Sequence, residues 1–354
     1  MWRAFFCSLL LAGWLPLSVL ACSSAPTCCD VAATVTCVGC CANTTSISLA
    51  NSNITSLSAD VFAQLASLQT LDLSSNNLTT VPSGLFSNNG ALEHIDFSVN
   101  QLAALPTDLF SSLGNAQYIN LGQNLLREIT ADHFAGTPRL EYLSLFQCPL
   151  GAVPADLYRH IGNVSLVAIT TLAPTLPDKL FSQLQNLTVL AIGYSNLEYV
   201  APDLVKDNAN LQIFELGLIP ALSSLPAGLL YFNTALTAAY LGYLNITSLP
   251  RGFFDLNKKL TQIDLSGNPF APSGLPSDLF SELPAFSEFF LRNTTLPTLP
   301  YGLLSPTRNS ALNEISLNSN SEMPAICRTT FDSVASIPAI CIAKPFNSMG
   351  REGV

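Results

Sequence analysis

Three histidines, ten cysteines and a thin scatter of carboxylates are the groups in this 354-residue chain that could do chemistry. Nucleophilic catalysis needs a nucleophile with a base in reach. Glycoside cleavage needs paired carboxylates, and a metal needs a cluster of ligands. His94, His133 and His160 fall in separate stretches, and the Asp132–His133 neighbours have no third member beside them. No glycine-rich phosphate loop, no His-x-x-x-His and no Asp-rich calcium loop occurs. The expectation is no catalytic residue, no metal and no cofactor, and a chain that is not an enzyme.

The cysteines speak of an oxidising compartment instead. Residues 1–21 have the form of a targeting segment, with Arg3 followed by an apolar run from Ala4 to Leu17 and Val19-Leu20-Ala21 at a cleavage site. A bacterial lipoprotein signal acylated at Cys22 is the alternative, and Leu20 fits it poorly. Cys22, Cys28, Cys29, Cys37, Cys40 and Cys41 crowd residues 22–43; an even count in a secreted chain reads as disulfides, with the pairing left open. A zinc site there would lack any histidine. Cys327 and Cys341 pair naturally in a C-terminal segment over 327–354, which leaves Cys148 as a reduced structural residue. Seven Asn-x-Ser/Thr sequons, at Asn43, Asn53, Asn77, Asn163, Asn186, Asn245 and Asn293, avoid the apolar positions and could carry glycans. No apolar run after the first segment is long enough to span a membrane.

What must position these residues is a repeat. Residues 68–91 read LQTLDLSSNNLTTVPSGLFSNNGA, and the same pattern restarts at Leu92, Ala116 and Leu140, every 24 residues. Leu71 and Leu73, Ile95 and Phe97, Ile119 and Leu121, and Leu143 and Leu145 alternate with polar residues as in a half-buried strand. Asn76, Asn100, Asn124, Asn268 and Asn320 follow, where a short amide can satisfy the backbone as the chain leaves the strand. A Leu-Pro pair (Leu105–Pro106, Leu225–Pro226, Leu249–Pro250) opens the return run. A later Phe (Phe62, Phe86, Phe110, Phe134, Phe181, Phe254, Phe280) fills its wide side.

This skeleton resembles the leucine-rich repeat family, in the 24-residue form of extracellular receptors and matrix proteoglycan cores, over residues 44–326. The resemblance implies an α/β-type repeat solenoid: a horseshoe with a parallel concave β-sheet and short 3-10 or irregular convex segments. Twelve units start near Thr44 and at Leu68, Leu92, Ala116, Leu140, Val164, Leu187, Leu211, Leu236, Leu260, Phe286 and Leu312. At about 4.8 Å per strand the sheet is roughly 50 Å long. The later units vary in length, and Leu172, Ser195, Leu244 and Thr294 stand near the asparagine position. The family's cysteine caps imply one over 22–43, in a spacing unlike the usual four-cysteine pattern, and the Cys-x-Cys of the usual C-terminal cap is missing.

Function on such a scaffold is argued from its face. The concave positions carry Asp72, Glu93, Asp96, Glu141, Glu215, Asp264, Glu288 and Glu314 against one base, Arg292. A net charge of −10 opposes nucleic acid and favours a basic partner. Tyr118, Tyr142, Phe146, Leu166, Val189, Tyr194, Ile213, Leu218, Tyr240 and Tyr243 add apolar and aromatic area, the anatomy of a protein-binding patch. The chain is expected to be secreted and to bind a protein or peptide ligand, receptor- or adhesion-like, with a homodimer among the partners to test. A structural matrix protein and an inhibitor of a secreted hydrolase are the alternatives; the GxIP signature of plant hydrolase inhibitors is absent.

Overall fold

The computed structural model describes residues 43–304, 311–317 and 319–320, with the backbone of three short strands outside them. Strands β1 (Asp30–Val31) and β2 (Val35–Thr36) pair antiparallel. Twelve parallel strands follow: β3 (Ser46–Ser48), β4 (Thr70–Asp72), β5 (His94–Asp96), β6 (Tyr118–Asn120), β7 (Tyr142–Leu150), β8 (Leu166–Thr171), β9 (Val189–Gly193), β10 (Ile213–Gly217), β11 (Ala238–Tyr240), β12 (Gln262–Asp264), β13 (Glu288–Phe290) and β14 (Glu314–Ser316). They lie in one sheet in sequence order, with β15 (Ala339–Cys341) beyond β14. Every unit start read from the sequence falls two residues ahead of its strand, so the solenoid has the twelve coils expected. Among the described residues its convex side is built of turns and one 3-10 helix, Ala131–Phe134. The targeting segment, the six cysteines of 22–43, Cys327 and the Cys341 side chain lie outside the described residues.

The asparagines stitch the coils together. Asn76 Nδ2 donates to Leu49 O in the preceding coil and to Leu73 O in its own, each at 2.9 Å. Its Oδ1 accepts from Ser52 N and Ile54 N. Asn100, Asn124, Asn268 and Asn320 repeat the donation to both coils. A buried amide thus pairs backbone groups that would otherwise be orphaned where the chain turns.

In four consecutive central coils without the amide the strand runs on, whereas β11 and β13, with Leu244 and Thr294 near that position, keep three residues. Coils with the asparagine have strands of three residues, whereas β7, β8, β9 and β10 have nine, six, five and five. Continued pairing along the strand satisfies part of the backbone that the side chain satisfies elsewhere. The substitutes are partial: Cys148 Sγ donates to Leu121 O at 3.1 Å, and Ser195 Oγ accepts from Thr171 N at 3.0 Å. In the sixth coil Thr171 takes the position, not Leu172. Its Oγ1 donates to Gly151 O at 2.9 Å, and Leu172 is exposed because this coil is one residue short.

A second inward row, on the convex side, has no counterpart in the sequence reading. Asn89, Asn208, Asn233 and Asn257 are fully or almost fully buried, and each Nδ2 donates to two carbonyls. Beside it the aromatic spine Phe62, Phe86, Phe110, Phe134, Tyr158 and Phe181 packs coil on coil. The Phe110 and Phe134 rings stack at 6.1 Å and the Tyr158 and Phe181 rings approach to 5.6 Å. Tyr158 brings a hydroxyl into this dry row, and its oxygen has no partner.

Two predictions follow from this interior. An unpaired buried hydroxyl costs about 1–3 kcal/mol, so Tyr158→Phe should leave the chain as stable or more stable by about 1 kcal/mol; urea unfolding reads it, and a clear loss would mean the hydroxyl is paired. Cys148 is a buried free thiol, pushed up to about 12 by desolvation. Peptide mapping after iodoacetamide should find it unmodified in the native chain at pH 8 and modified in guanidinium. Labelling without denaturant would show that this coil opens.

Candidate binding face

Strand alternation sorts the concave side chains into rows that cross the sheet. Hydrogen-bonded register sets Thr70, His94, Tyr118, Tyr142, Leu166, Val189, Ile213, Ala238, Gln262, Glu288 and Glu314 side by side. The row two residues later is Asp72, Asp96, Asn120, Ser144, Ala168, Ala191, Glu215, Tyr240, Asp264, Phe290 and Ser316. Side chains at matching positions therefore meet at the strand spacing of about 4.8 Å, whatever their distance in sequence.

The first row begins as an aromatic stack. Tyr118 and Tyr142 lie with ring centroids 4.1 Å apart, and His94 stacks on Tyr118 at 5.9 Å. His94 was missed as a face residue, although the 24-residue period from Tyr118 reaches it. Leu166, Val189 and Ile213 continue the row, half-buried.

The second row is bare at its middle. Phe146, expected to stand open on the face, is 5% exposed because its ring lies against Ala168 and Ala191. Tyr194 meets it edge-on at 5.5 Å and is itself 42% exposed. A third row holds left-handed backbone in nearly every coil: Ser75, Val99, Gln123, Gln147, Tyr194, Leu218, Tyr243 and Asn293 have φ between 52° and 56°. Bulky residues there cost of order 1 kcal/mol each. Gly267, at φ +73°, completes the row, and a Cβ on it would strike the Tyr243 ring at 2.5 Å. Glycine is what lets that ring lie across the sheet.

The remaining expected residues divide by position. Glu93 and Glu141 stand one residue ahead of β5 and β7, at the edge of the sheet. Asp96 and Glu215 are buried on its floor, Asp264 and Tyr240 are half-buried, and Tyr243 lies in the third row. Of the sequons, Asn43, Asn53, Asn163, Asn186, Asn245 and Asn293 are exposed and Asn77 is half-buried. Asn293 shares the third row with Tyr243.

The carboxylates differ in what holds them. Asp96 accepts from Ser98 N at 2.7 Å and from Asn120 Nδ2 at 3.1 Å, yet desolvation holds its pKa above the usual range. Asp264 accepts from Ser266 N at 2.8 Å and is likewise raised by burial. Glu288 accepts from Gln262 Nε2 at 2.5 Å, and Gln262 in turn accepts from the Tyr240 hydroxyl. Arg292 donates from Nε to Ser316 Oγ at 2.7 Å and lies 4.8 Å over the Phe290 ring. Glu215 is only 8% exposed and has no hydrogen bond or ion pair among the described residues; desolvation first, and the Asp264 charge second, push it up to about 8.

The histidines do not converge. His133 is buried as a cap of the 3-10 helix, with Nε2 3.2 Å from Leu105 O, while His160 accepts from Arg159 on the convex surface. Among the described residues no group of His, Cys, Asp or Glu could hold a metal ion, and no helix is long and apolar enough to cross a membrane.

Comparison with known proteins agrees with this architecture. Family models described as Leucine rich repeat match residues 42–102 and 92–150, and a second one matches 259–283. No curated protein sequence matches. Among solved structures, Toll of Drosophila in its complex with Spatzle superposes with TM-score 0.67 at 23% identity, over 81% of this chain and 37% of that one. TLR13 in complex with ssRNA13 superposes with TM-score 0.66 at 22% identity, over 83% of this chain and 46% of that one. A leucine-rich repeat protein of Leptospira interrogans gives 0.62 at 22% identity, over 81% and 75%. The chain thus spans less than half of the Toll and TLR13 chains, and the likeness establishes a leucine-rich repeat solenoid.

The buried carboxyl has a measurable consequence for stability. Between pH 4.5 and about 8 Glu215 is protonated in the folded chain and ionised in the unfolded one. The folded state then binds more protons, so stability falls as pH rises across that window, by on the order of a few kcal/mol. Asp96 and Asp264 add in the same direction. Denaturation series at pH 5.5 and 8.5 should show Glu215→Gln flattening the fall; an unchanged slope would mean that the carboxyl is solvated.

Proposed function

We propose that this leucine-rich repeat solenoid is a secreted or extracellular binding module that recognises a protein or peptide on its concave face, in the manner of a receptor or adhesion ectodomain. The observation that carries the reading is the composition of that face. A continuous strip of stacked and half-buried apolar side chains runs from His94 through Tyr118, Tyr142, Leu166 and Val189 to Ile213, with Tyr194 standing proud beside it. Large apolar area on the solvent side of a sheet calls for something to cover it. Tyrosine supplies area and a hydrogen-bonding tip at low entropy cost.

The backbone under the strip is set before any partner arrives, because each of its strands is paired on both sides. Binding therefore costs little ordering and turns over nothing. Carboxylates on both flanks favour a basic protein over an anionic polymer. Toll with Spatzle is the relevant parallel among the structural neighbours. The RNA complex of TLR13 is not carried over, since acidic rows repel phosphate. The signal-like composition of residues 1–21, the six cysteines of 22–43 expected to pair, the sequons and the candidate Cys327–Cys341 pair are what supports secretion. Homodimerisation through the same face is the partner reading to separate from ligand binding.

Tyr142→Ala with Tyr194→Ala tests the reading. The wild-type chain, immobilised, should retain basic secreted proteins that elute with salt. The double variant should keep the wild-type melting temperature, measured by circular dichroism, while losing at least tenfold in affinity for whatever is retained. Equal affinity for both forms would remove the concave face as the site, and sedimentation of the free chain reports self-association.

A further inference from the structure

Glu215 is the one acid of the concave face that is both buried and unpaired. It lies in the second row on β10, with Ala191 on β9 at one side and Tyr240 on β11 at the other. The stretch beside it is bare: Ala168, Ala191, Gly193 and Gly217 offer no side chain longer than a methyl group, and Phe146 packs against Ala168 and Ala191 at its far end. The carboxyl oxygens are not sealed in, unlike the Tyr158 hydroxyl, so they face the concave side with a narrow opening to solvent.

Every group around it is either neutral or acidic, or already engaged. Gln262 and Glu288 are bonded to each other, and Gln262 Oε1 also accepts a hydrogen bond from the Tyr240 hydroxyl. Asp264 is held by Ser266 N. Arg292, the face's only base among the described residues, is occupied by Ser316 and the Phe290 ring. A buried carboxyl kept without a partner is destabilising, and the missing complement is a cation with an apolar stem.

We infer that Glu215 is the acceptor for one Arg or Lys side chain of the protein or peptide partner, whose methylene stem lies along the bare stretch at Ala191, Gly193 and Gly217. The inference rests on the concave-face reading above and specifies its central contact. Asp264 and Glu288 draw the cation in, Ile213 flanks its stem, and a charge-assisted hydrogen bond forms at the end of the stretch. Tyr240 remains a neutral phenol throughout, its pKa raised by desolvation and by Glu215, Glu288 and Asp264 in turn. Because Glu215 is largely protonated at neutral pH, engaging a cation releases a proton, and affinity rises as pH climbs from 6 to 8.5.

A phage-displayed library of random dodecapeptides, panned on the full chain at pH 8.5, is the probe. Selected peptides should be enriched in Arg or Lys and should bind at least tenfold more weakly to Glu215→Gln and to Glu215→Leu. They should bind more weakly to wild type at pH 6, and replacing the basic residue of a peptide by alanine should cost as much as the Glu215 variants do. Melting curves of both variants check folding; the leucine variant should melt no lower than wild type. Peptides that depend on Tyr142 and Tyr194 but carry no basic enrichment, or bind Glu215→Gln equally, would overturn this inference and leave the concave face standing. Selected peptides indifferent to all of these substitutions, or no selection at all, would overturn both.

Discussion

Every coil of this solenoid must solve one problem: the chain leaves its strand, turns inward, and strands backbone amides and carbonyls away from water. The inward asparagine solves it by bonding the carbonyls of two coils at once, as Asn76, Asn100 and Asn124 do in succession. That requirement fixes the spacing from strand to turn within a unit, because Asn76, Asn268 and Asn320 each bond the carbonyl three residues back, while the return run varies in length. The leucines supply the burial energy, and the amide decides which leucine meets which.

The middle of the chain departs from this solution. From Cys148 to Ile219 no asparagine fills the position, and strands β7 to β10 extend to pair what the amide does not. Longer strands present more residues to the concave side. The added residues on the concave side are Phe146, Thr170, Gly193 and Gly217, with Tyr194 edge-on to Phe146.

Charge on that face is graded by what surrounds each carboxyl. Asp96 and Asp264 accept backbone and side-chain donors that offset part of their burial, and Glu288 is bonded through Gln262 to Tyr240. Glu215 has none of these, although it occupies the same row as Asp264 two strands away. Position in the repeat sets the direction of a side chain; the residues on the two adjoining strands set its chemistry.

By itself the sequence determined the period, the start of every coil, the core leucines, the phenylalanine spine and the asparagine ladder, because these repeat at a spacing short enough to read directly. It also named most of the face. What only the tertiary structure decided lies across coils, between residues about 24 apart that no local pattern couples. Phe146 is covered because Ala168 and Ala191 are small; Thr171 replaces Leu172 in the ladder because the sixth coil is one residue short; Asn208, Asn233 and Asn257 form a second inward row on the convex side. Glu215 follows the same rule. Its residue type was legible as an acid on the concave face, but its lack of a partner was not, because that depends on Ala191, Tyr240 and Asp264 brought alongside by strand pairing.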